Sequence, residues 1–111
     1  MATGQVLVQD ISPWYVGQLS PLWQFTIMAN GAPVNLTGGT SPKVLFALAG
    51  APAAAGAGVA TITNPTGGVV TYQLAAADVT SPGLYRVYVE VQMPNGPLIS
   101  DPVDWQLEPL D

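Results

Sequence analysis

The 111-residue sequence contains no cysteine and no histidine. These absences exclude disulfide bridges, thiolate chemistry, histidine general bases and the usual zinc ligands. Basic residues are nearly absent as well, because Lys43 and Arg86 are the only two in a chain of net charge −5. Nucleic acids and anionic membranes are bound by clustered lysine and arginine. We therefore expect neither a nucleic-acid partner nor a membrane partner.

Long apolar runs are also missing, although hydrophobic residues make up 49% of the chain. The longest uncharged and mostly apolar run, residues 44–60, is interrupted by Pro52 and three glycines. A membrane-spanning helix needs about 20 apolar residues in succession. Residues 1–5 lack the basic segment that is typical of a secretory signal. The sequence thus predicts a protein that is made in a cytoplasm and is not exported by the general secretory route.

The chain is rich in glycine and proline, with 12 and 11 residues, and only 8% of its residues are charged. In ordinary soluble domains, roughly a quarter of the residues are charged. A surface with so few charges loses little solvation free energy when it meets another protein, since charges are depleted at interface cores. The length is that of one domain. We predict a single domain over residues 1–111, with its core between about residues 5 and 107.

Residues 82–93 form the clearest secondary-structure signal, because polar and apolar side chains alternate along them. A period of two predicts a strand with one buried face. Tyr85 follows Pro82-Gly83 and a turn, and this entry resembles the tyrosine corner at the sixth strand of immunoglobulin-like sandwiches. The predicted inward side chains are Tyr85, Val87, Val89, Val91 and Met93.

Further short strands are predicted at residues 5–9, 22–29, 33–36, 43–48, 59–63, 69–74 and 98–107. An Asn30-Gly31 hairpin joins the second and third of these strands, one helical turn is placed at residues 75–78, and Asp101-Pro102 interrupts the last strand. Residues 49–58 are predicted as a loop. Frequent turns between about seven to eight strands predict an all-β protein, a single antiparallel immunoglobulin-like β-sandwich. The predicted core is Trp23, Phe25, Ile27, Phe46, Tyr72, Tyr85, Val87, Val89 and Trp105.

Catalytic motifs are not found in the sequence, which has no nucleophile elbow, phosphate-binding loop or dinucleotide fingerprint. Asp101 and Asp104 are the one close pair of carboxylates near a strand. Turn and surface carboxylates are the favoured interpretation of this pair, and a weak Ca²⁺ site is the alternative. We expect no catalytic residues, no cofactor and no resident metal, and so a protein that is not an enzyme.

The order of these signals resembles the immunoglobulin-like virion domain found at the N-terminus of baseplate upper proteins of tailed phages. The matching segments are residues 14–18, 22–27, 30–38, the Val44, Phe46 and Leu48 strand, residues 68–72, and Asp78 ahead of Pro82-Gly83-Leu84-Tyr85. The resemblance implies a small structural protein of the virion, such as a head-decoration or fibre-base protein or a tail or baseplate adaptor. It further implies synthesis in the host cytoplasm, localisation in the virion, and contacts with other phage structural proteins.

A glycan-binding module is the alternative function. Trp14 and Tyr15 lie outside a clear strand, and Tyr88 is predicted on the outward face of the central strand. Aromatic side chains that are exposed and coplanar could stack on sugars, giving a weak glycan contact. Packing of Trp14 and Tyr15 over one end of the sandwich is the competing interpretation.

Attachment to neighbours is predicted at the charge-free loop of residues 49–58, together with residues 1–5. Natural sheet edges are usually protected by charge or proline, and here only Lys43 and Pro33 could serve. The small loop side chains would allow a close approach to another backbone, so a homo-oligomer is expected; a mobile surface loop is the alternative. The candidate contact residues are Ala49, Pro52, Ala53, Ala54, Ala55, Tyr88, Trp14 and Tyr15.

Overall fold

A computed structural model describes residues 5–8, 13–29 and 31–109 of the chain. A 3-10 helix spans Ala76–Val79, where the single helical turn was predicted, and no helix of the described residues is long and apolar enough to cross a membrane. The strands are β1 (Gln5–Val8), β2 (Trp14–Tyr15), β3 (Trp23–Ala29), β4 (Ala32–Pro33), β5 (Thr40–Leu48), β6 (Ala54–Ala55), β7 (Val59–Asn64), β8 (Val69–Gln73), β9 (Gly83–Met93), β10 (Gly96–Ile99) and β11 (Val103–Glu108).

The strands form two sheets, named here after their central strands. The β3 sheet has the order β1-β3-β8-β7, with β4 added to β3. The β9 sheet has the order β2-β11-β9-β5-β6, with β10 added to β9. Neighbouring strands are antiparallel apart from β2 and β11, which run parallel. The orders β1-β3-β8-β7 and β11-β9-β5 match the two sheets of immunoglobulin domains, which confirms the predicted all-β sandwich.

The strand boundaries confirm two of the predicted breaks. Met28 pairs with Pro33 and Ala29 with Ala32, so the chain reverses through a short turn in which Gly31 has a φ of +80°. Such a positive φ is the reason that glycine is favoured in two-residue hairpins; Asn30 lies outside the described residues. The last strand is split between Ile99 and Val103, because Pro102 has no N–H for the ladder.

The prediction of an unstructured loop over residues 49–58 is wrong in its middle. Ala54 and Ala55 pair with β5 and form the edge strand β6. Gly56 and Gly58 explain how the backbone can lie there, because a Cβ atom at either position would overlap the Tyr72 side chain. The small residues of this segment therefore serve, in part, a close approach to the domain's own core.

The core between the sheets is built around aromatic rings. Trp23 lies at its centre, with its ring centroid 5.0 Å from that of Trp105 and 5.6 Å from that of Trp14. The rings of Phe25, Phe46 and Tyr72 each lie 6.0 Å from it. The predicted core is confirmed, with Phe46 and Tyr85 half-buried against it at one end. Val91 is buried, as its predicted inward position requires. Buried apolar side chains that the sequence analysis did not name as core are Trp14, Leu36, Val44, Val70, Leu74, Val79 and Leu107.

Candidate functional site

The start of β9 is fixed by the predicted tyrosine corner. The Tyr85 hydroxyl donates a hydrogen bond to the Ser81 carbonyl oxygen at 2.6 Å. Partial burial raises the pKa of the Tyr85 phenol above its ordinary value. The bond ties the turn that precedes β9 to the strand itself, as in immunoglobulin-like domains. It holds Leu84 and Arg86, the outward neighbours of Tyr85, at a fixed position on the sheet.

Asp78 organises a second set of bonds at the same end of the sandwich. Its carboxylate accepts the Tyr72 hydroxyl at 2.6 Å and the Ala75 N–H at 3.0 Å, and it accepts the Ala57 N–H at 2.8 Å. Tyr72 in turn accepts the Gly58 N–H at 2.8 Å. This Asp78 network joins the 3-10 helix, β8 and the segment between β6 and β7. It fixes a segment that composition alone would describe as flexible.

Alkaline pH is expected to destabilise the domain through Tyr72. Burial, and next the hydrogen bond to Asp78, raise the pKa of this phenol far above its ordinary value. In the unfolded chain it would ionise near pH 10, so its contribution to stability is complete below that pH and is lost as the pH rises above it. We expect the free energy of unfolding to fall there by up to about 1.4 kcal/mol per pH unit on account of Tyr72.

Urea unfolding of the parent and of Tyr72→Phe, each between about pH 9 and pH 11, measures this slope. The phenylalanine variant should show a smaller loss of stability over that range, since it has no phenol to ionise. Equal slopes in the two proteins would contradict the assignment.

A groove lies on the outer face of the β9 sheet and encloses about 430 Å³. Ala47 lies opposite Arg86, and the following segment bends away through Gly50, which has a φ of +84°. The side chains at the end of β5 and just after it are small, whereas those on β9 are large, and this difference in size creates the depression. The residues that line it are Ala47, Leu48, Ala49, Gly50, Ala51, Leu84, Tyr85, Arg86, Tyr88 and Asp104; we call it the β9 groove.

The wall of the β9 groove is held by backbone bonds. The Ala49 N–H donates to the Leu84 carbonyl oxygen at 3.2 Å and so extends the pairing of β5 with β9. The Ala51 N–H donates to the Leu48 carbonyl oxygen at 2.8 Å and closes the turn. Leu48 and Leu84 nevertheless stay 41% and 55% exposed. Leu48 lies opposite Tyr85 and so belongs to the other face of the sheet, and of the two only Leu84 adds exposed apolar area to the outer face.

The charges around the β9 groove balance, in contrast with those of the chain as a whole. Arg86 pairs in register with Asp104, and Lys43 with Glu90. These four residues include both basic residues of the sequence and sum to zero. The net charge of −5 therefore comes from the five other acids, which are Asp10, Asp78, Asp101, Glu108 and Asp111. Glu108 lies on the same face of β11 as Asp104 but four residues further along, so the neutral part of the outer face is the part around these four residues.

The predicted contact residues are only partly brought together. Ala49 and Tyr88 both line the β9 groove. Pro52 and Ala53 are exposed nearby in the chain, as are Ala54 and Ala55 on β6. Of the predicted N-terminal contact segment, residues 1–4 lie outside the described residues. The groove residues Leu84, Arg86 and Asp104 were not predicted, although the polar alternation of β9 was a signal for the first two.

Trp14 is not a surface residue, which corrects its assignment as a contact. It is 3% exposed, packs edge-on against Trp23, and donates its indole N–H to the Gln18 carbonyl oxygen at 2.7 Å. Tyr15, next to it on β2, points outward and is 42% exposed. Tyr15 and Tyr88 lie at rows of the sheet about 20 Å apart along the strands. The three aromatics therefore form no common stacking surface, which is the arrangement that the glycan-binding alternative requires.

Asp101 and Asp104 do not share one site on the sheet. Asp104 is exposed on β11 opposite Arg86, while Asp101 is half-buried in the bend between β10 and β11. Among the described residues, no three acidic side chains gather in a group that could hold a metal ion. The Ca²⁺ alternative therefore finds no ligand set in this part of the chain.

Comparison with solved structures finds a similar fold in CopC from Methylosinus trichosporium OB3b. The likeness covers 96% of this chain and 97% of that one, with a TM-score of 0.52 and 14% sequence identity. No protein-family model and no curated protein matches the sequence. At such an identity the likeness shows the fold, which is a β-sandwich in both proteins.

The function predicted from the sequence is corrected by this comparison. The neighbour is CopC of Methylosinus trichosporium OB3b and not a phage structural protein. The prediction of a head-decoration, fibre-base, tail or baseplate protein is therefore wrong. That prediction depended on core and turn residues, which are features of the sandwich fold and do not determine a function. The resemblance to the phage domain and the virion localisation are tested by none of the comparisons. What the comparison supports is the all-β sandwich fold.

Proposed function

We propose that this domain is not an enzyme but an assembly domain, and that the β9 groove and its surroundings bind a second copy of the chain. The observation that carries the proposal is a groove whose surrounding charges balance, on a molecule of net charge −5. Exposed Leu84 supplies apolar area to bury on the outer face of the β9 sheet.

The charges on the face are arranged so that the face is complementary to itself. A two-fold interface presents the same surface on both subunits, so a cation beside an anion can pair with its mirror set. Sheets that pack face to face keep their strand directions within about 30°. With a two-fold axis running along the strands between β9 and β11, Arg86 lies over Asp104 of the partner subunit and Asp104 over Arg86 of the partner subunit.

The surface available is sufficient for such a contact. A stable interface takes about 800 Å² from each partner, and the total accessible surface is 6016 Å². The interface would therefore use roughly an eighth of the surface, which one sheet face of a small sandwich supplies. Tyr88, half-buried at the groove, is of the residue type that most often anchors interfaces.

Reversing one charge at a time tests the proposal. Arg86→Asp places two acids on each face, and Asp104→Arg places two bases there, so each variant should associate at least about tenfold more weakly than the parent. An equimolar mixture of the two variants should recover association, because acids on one face then meet bases on the other. The measurement is the weight-average sedimentation coefficient over a concentration series.

The mixture separates contacts between subunits from contacts within one. In every molecule of the mixture, positions 86 and 104 carry charges of the same sign, so recovery can only come from opposite charges that meet across the interface. Leu84→Glu should weaken association similarly, while Leu19→Glu, at a leucine 38% exposed away from the groove, should not. A mixture that sediments like its separate components would overturn the proposal.

A further inference from the structure

A second interaction surface is the free edge of β7, at the end of the β3 sheet. β7 pairs with β8 on one side, and the sheet order ends there. Among the described residues, no backbone hydrogen bond from another segment reaches β7 from its outer side. The unpaired N–H and C=O groups of such an edge are a template for a further strand.

β7 is also the longest of the described edge strands. It runs for six residues, with the sequence VATITN, and contains no charge, proline or glycine. The short strands β2, β4 and β6 have two residues each, and β10 has four with Pro97 among them. Val59 on β7 is 66% exposed, the largest exposure among the exposed large apolar side chains. Charge and proline, the usual protections of an edge, are both missing here, as they are from the four-residue β1 at the opposite edge of the sheet. The one irregularity of β7 is a register shift between Ile62 and Asn64.

We propose that β7 pairs antiparallel with β7 of a second copy, with Thr61 on the two-fold axis. In this register Val59 lies opposite Thr63 of the partner subunit, and Ala60 opposite Ile62 of the partner subunit. Residues directly opposite each other share a face of the sheet, so the half-buried Ala60 and Ile62 continue the inner face. Val59, Thr61 and Thr63, all exposed, continue the outer one.

The strand's own chemistry favours a copy of itself over a charged peptide. β7 offers no cation and no anion with which a charged partner could pair. Two copies of β7, each uncharged, meet without repulsion despite the net charge of −5. Pairs of threonine and β-branched residues across strands are stabilising. The two β3 sheets would then form one continuous sheet, with the strand order β1-β3-β8-β7 in one subunit followed by β7-β8-β3-β1 in the partner subunit.

Single cysteines can test this register cleanly, because the parent chain has none. In Thr61→Cys the two new thiols would face each other across the axis, within the distance that a disulfide requires. In Thr63→Cys they would lie about 13 Å apart along the strands, too far to be bridged. Gln24→Cys, exposed on β3 in the same sheet, measures random collision.

Under mild oxidation we expect Thr61→Cys to form covalent dimers at least about tenfold faster than either control. The same excess should remain when Arg86→Asp is added, because that change acts on the other sheet. Non-reducing electrophoresis measures the rate, and far-UV circular dichroism shows that each variant is folded. Equal rates in the three variants, or faster linkage of Thr63→Cys, would overturn the proposal whatever the outcome at the β9 groove.

Discussion

Replacing Trp23 with alanine is expected to lower the free energy of unfolding by about 3–5 kcal/mol. The indole is fully buried, and its ring contacts those of five other aromatic residues on both sheets. Truncation removes the apolar contact and leaves a cavity that the neighbouring rings cannot fill without leaving their rotamers. Since domains of this size are stable by about 5–15 kcal/mol, a large share of the stability would be lost.

Urea unfolding followed by fluorescence and circular dichroism measures the change. Tyr15→Ala is the matched control, because Tyr15 is an aromatic residue near Trp14 in the chain but is 42% exposed. It should cost less than about 1 kcal/mol. Similar losses in the two variants would show that the aromatic cluster is not the centre of the core.

Replacing Asp78 with alanine should cost about 2–4 kcal/mol. Its carboxylate accepts hydrogen bonds from the Tyr72 hydroxyl and from the N–H groups of Ala57 and Ala75. Without it, these donors lose a charged acceptor in a partly buried site. Asp104→Ala removes an exposed carboxylate and should cost less than about 1 kcal/mol, measured at a concentration low enough to keep the protein monomeric.

A double-mutant cycle isolates the Tyr72 part of this network. Tyr72→Phe and Asp78→Ala share one hydrogen bond, so their combined effect should be smaller than the sum of the single effects by about 1–2 kcal/mol. Additive effects would mean that the 2.6 Å bond between the two side chains adds nothing to stability.

The sandwich could be predicted from the sequence because its longer strands alternate strictly. Along β9 the buried positions Val87, Val89 and Val91 follow a period of two, and the same holds for Trp23, Phe25 and Ile27 on β3. The tyrosine corner had a local signal, since its hydroxyl returns to a carbonyl only four residues away. In these places, local sequence and tertiary contact agree.

Short elements and distant contacts could not be predicted in the same way. Trp14 lies in a strand of two residues, which is too short for alternation to show which side chain is buried. The bond from Ala57 to Asp78 spans 21 residues, and nothing local in an alanine- and glycine-rich segment indicates its partner. The β9 groove arises where Ala47 is placed beside Arg86, a pairing of residues that lie far apart in the sequence.

The position of β11 between β2 and β9 has a consequence for synthesis on the ribosome. Trp105 comes from this last strand, yet its ring contacts those of Trp23, Phe46 and Tyr85. Until β11 has left the exit tunnel, these rings have no partner on that side, and β2 has no strand to pair with. Contacts between distant parts of a chain form slowly, and exposed apolar surface invites aggregation meanwhile. The aromatic core of the nascent domain is therefore complete only after β11 has emerged, and its apolar side chains are prone to aggregation until then.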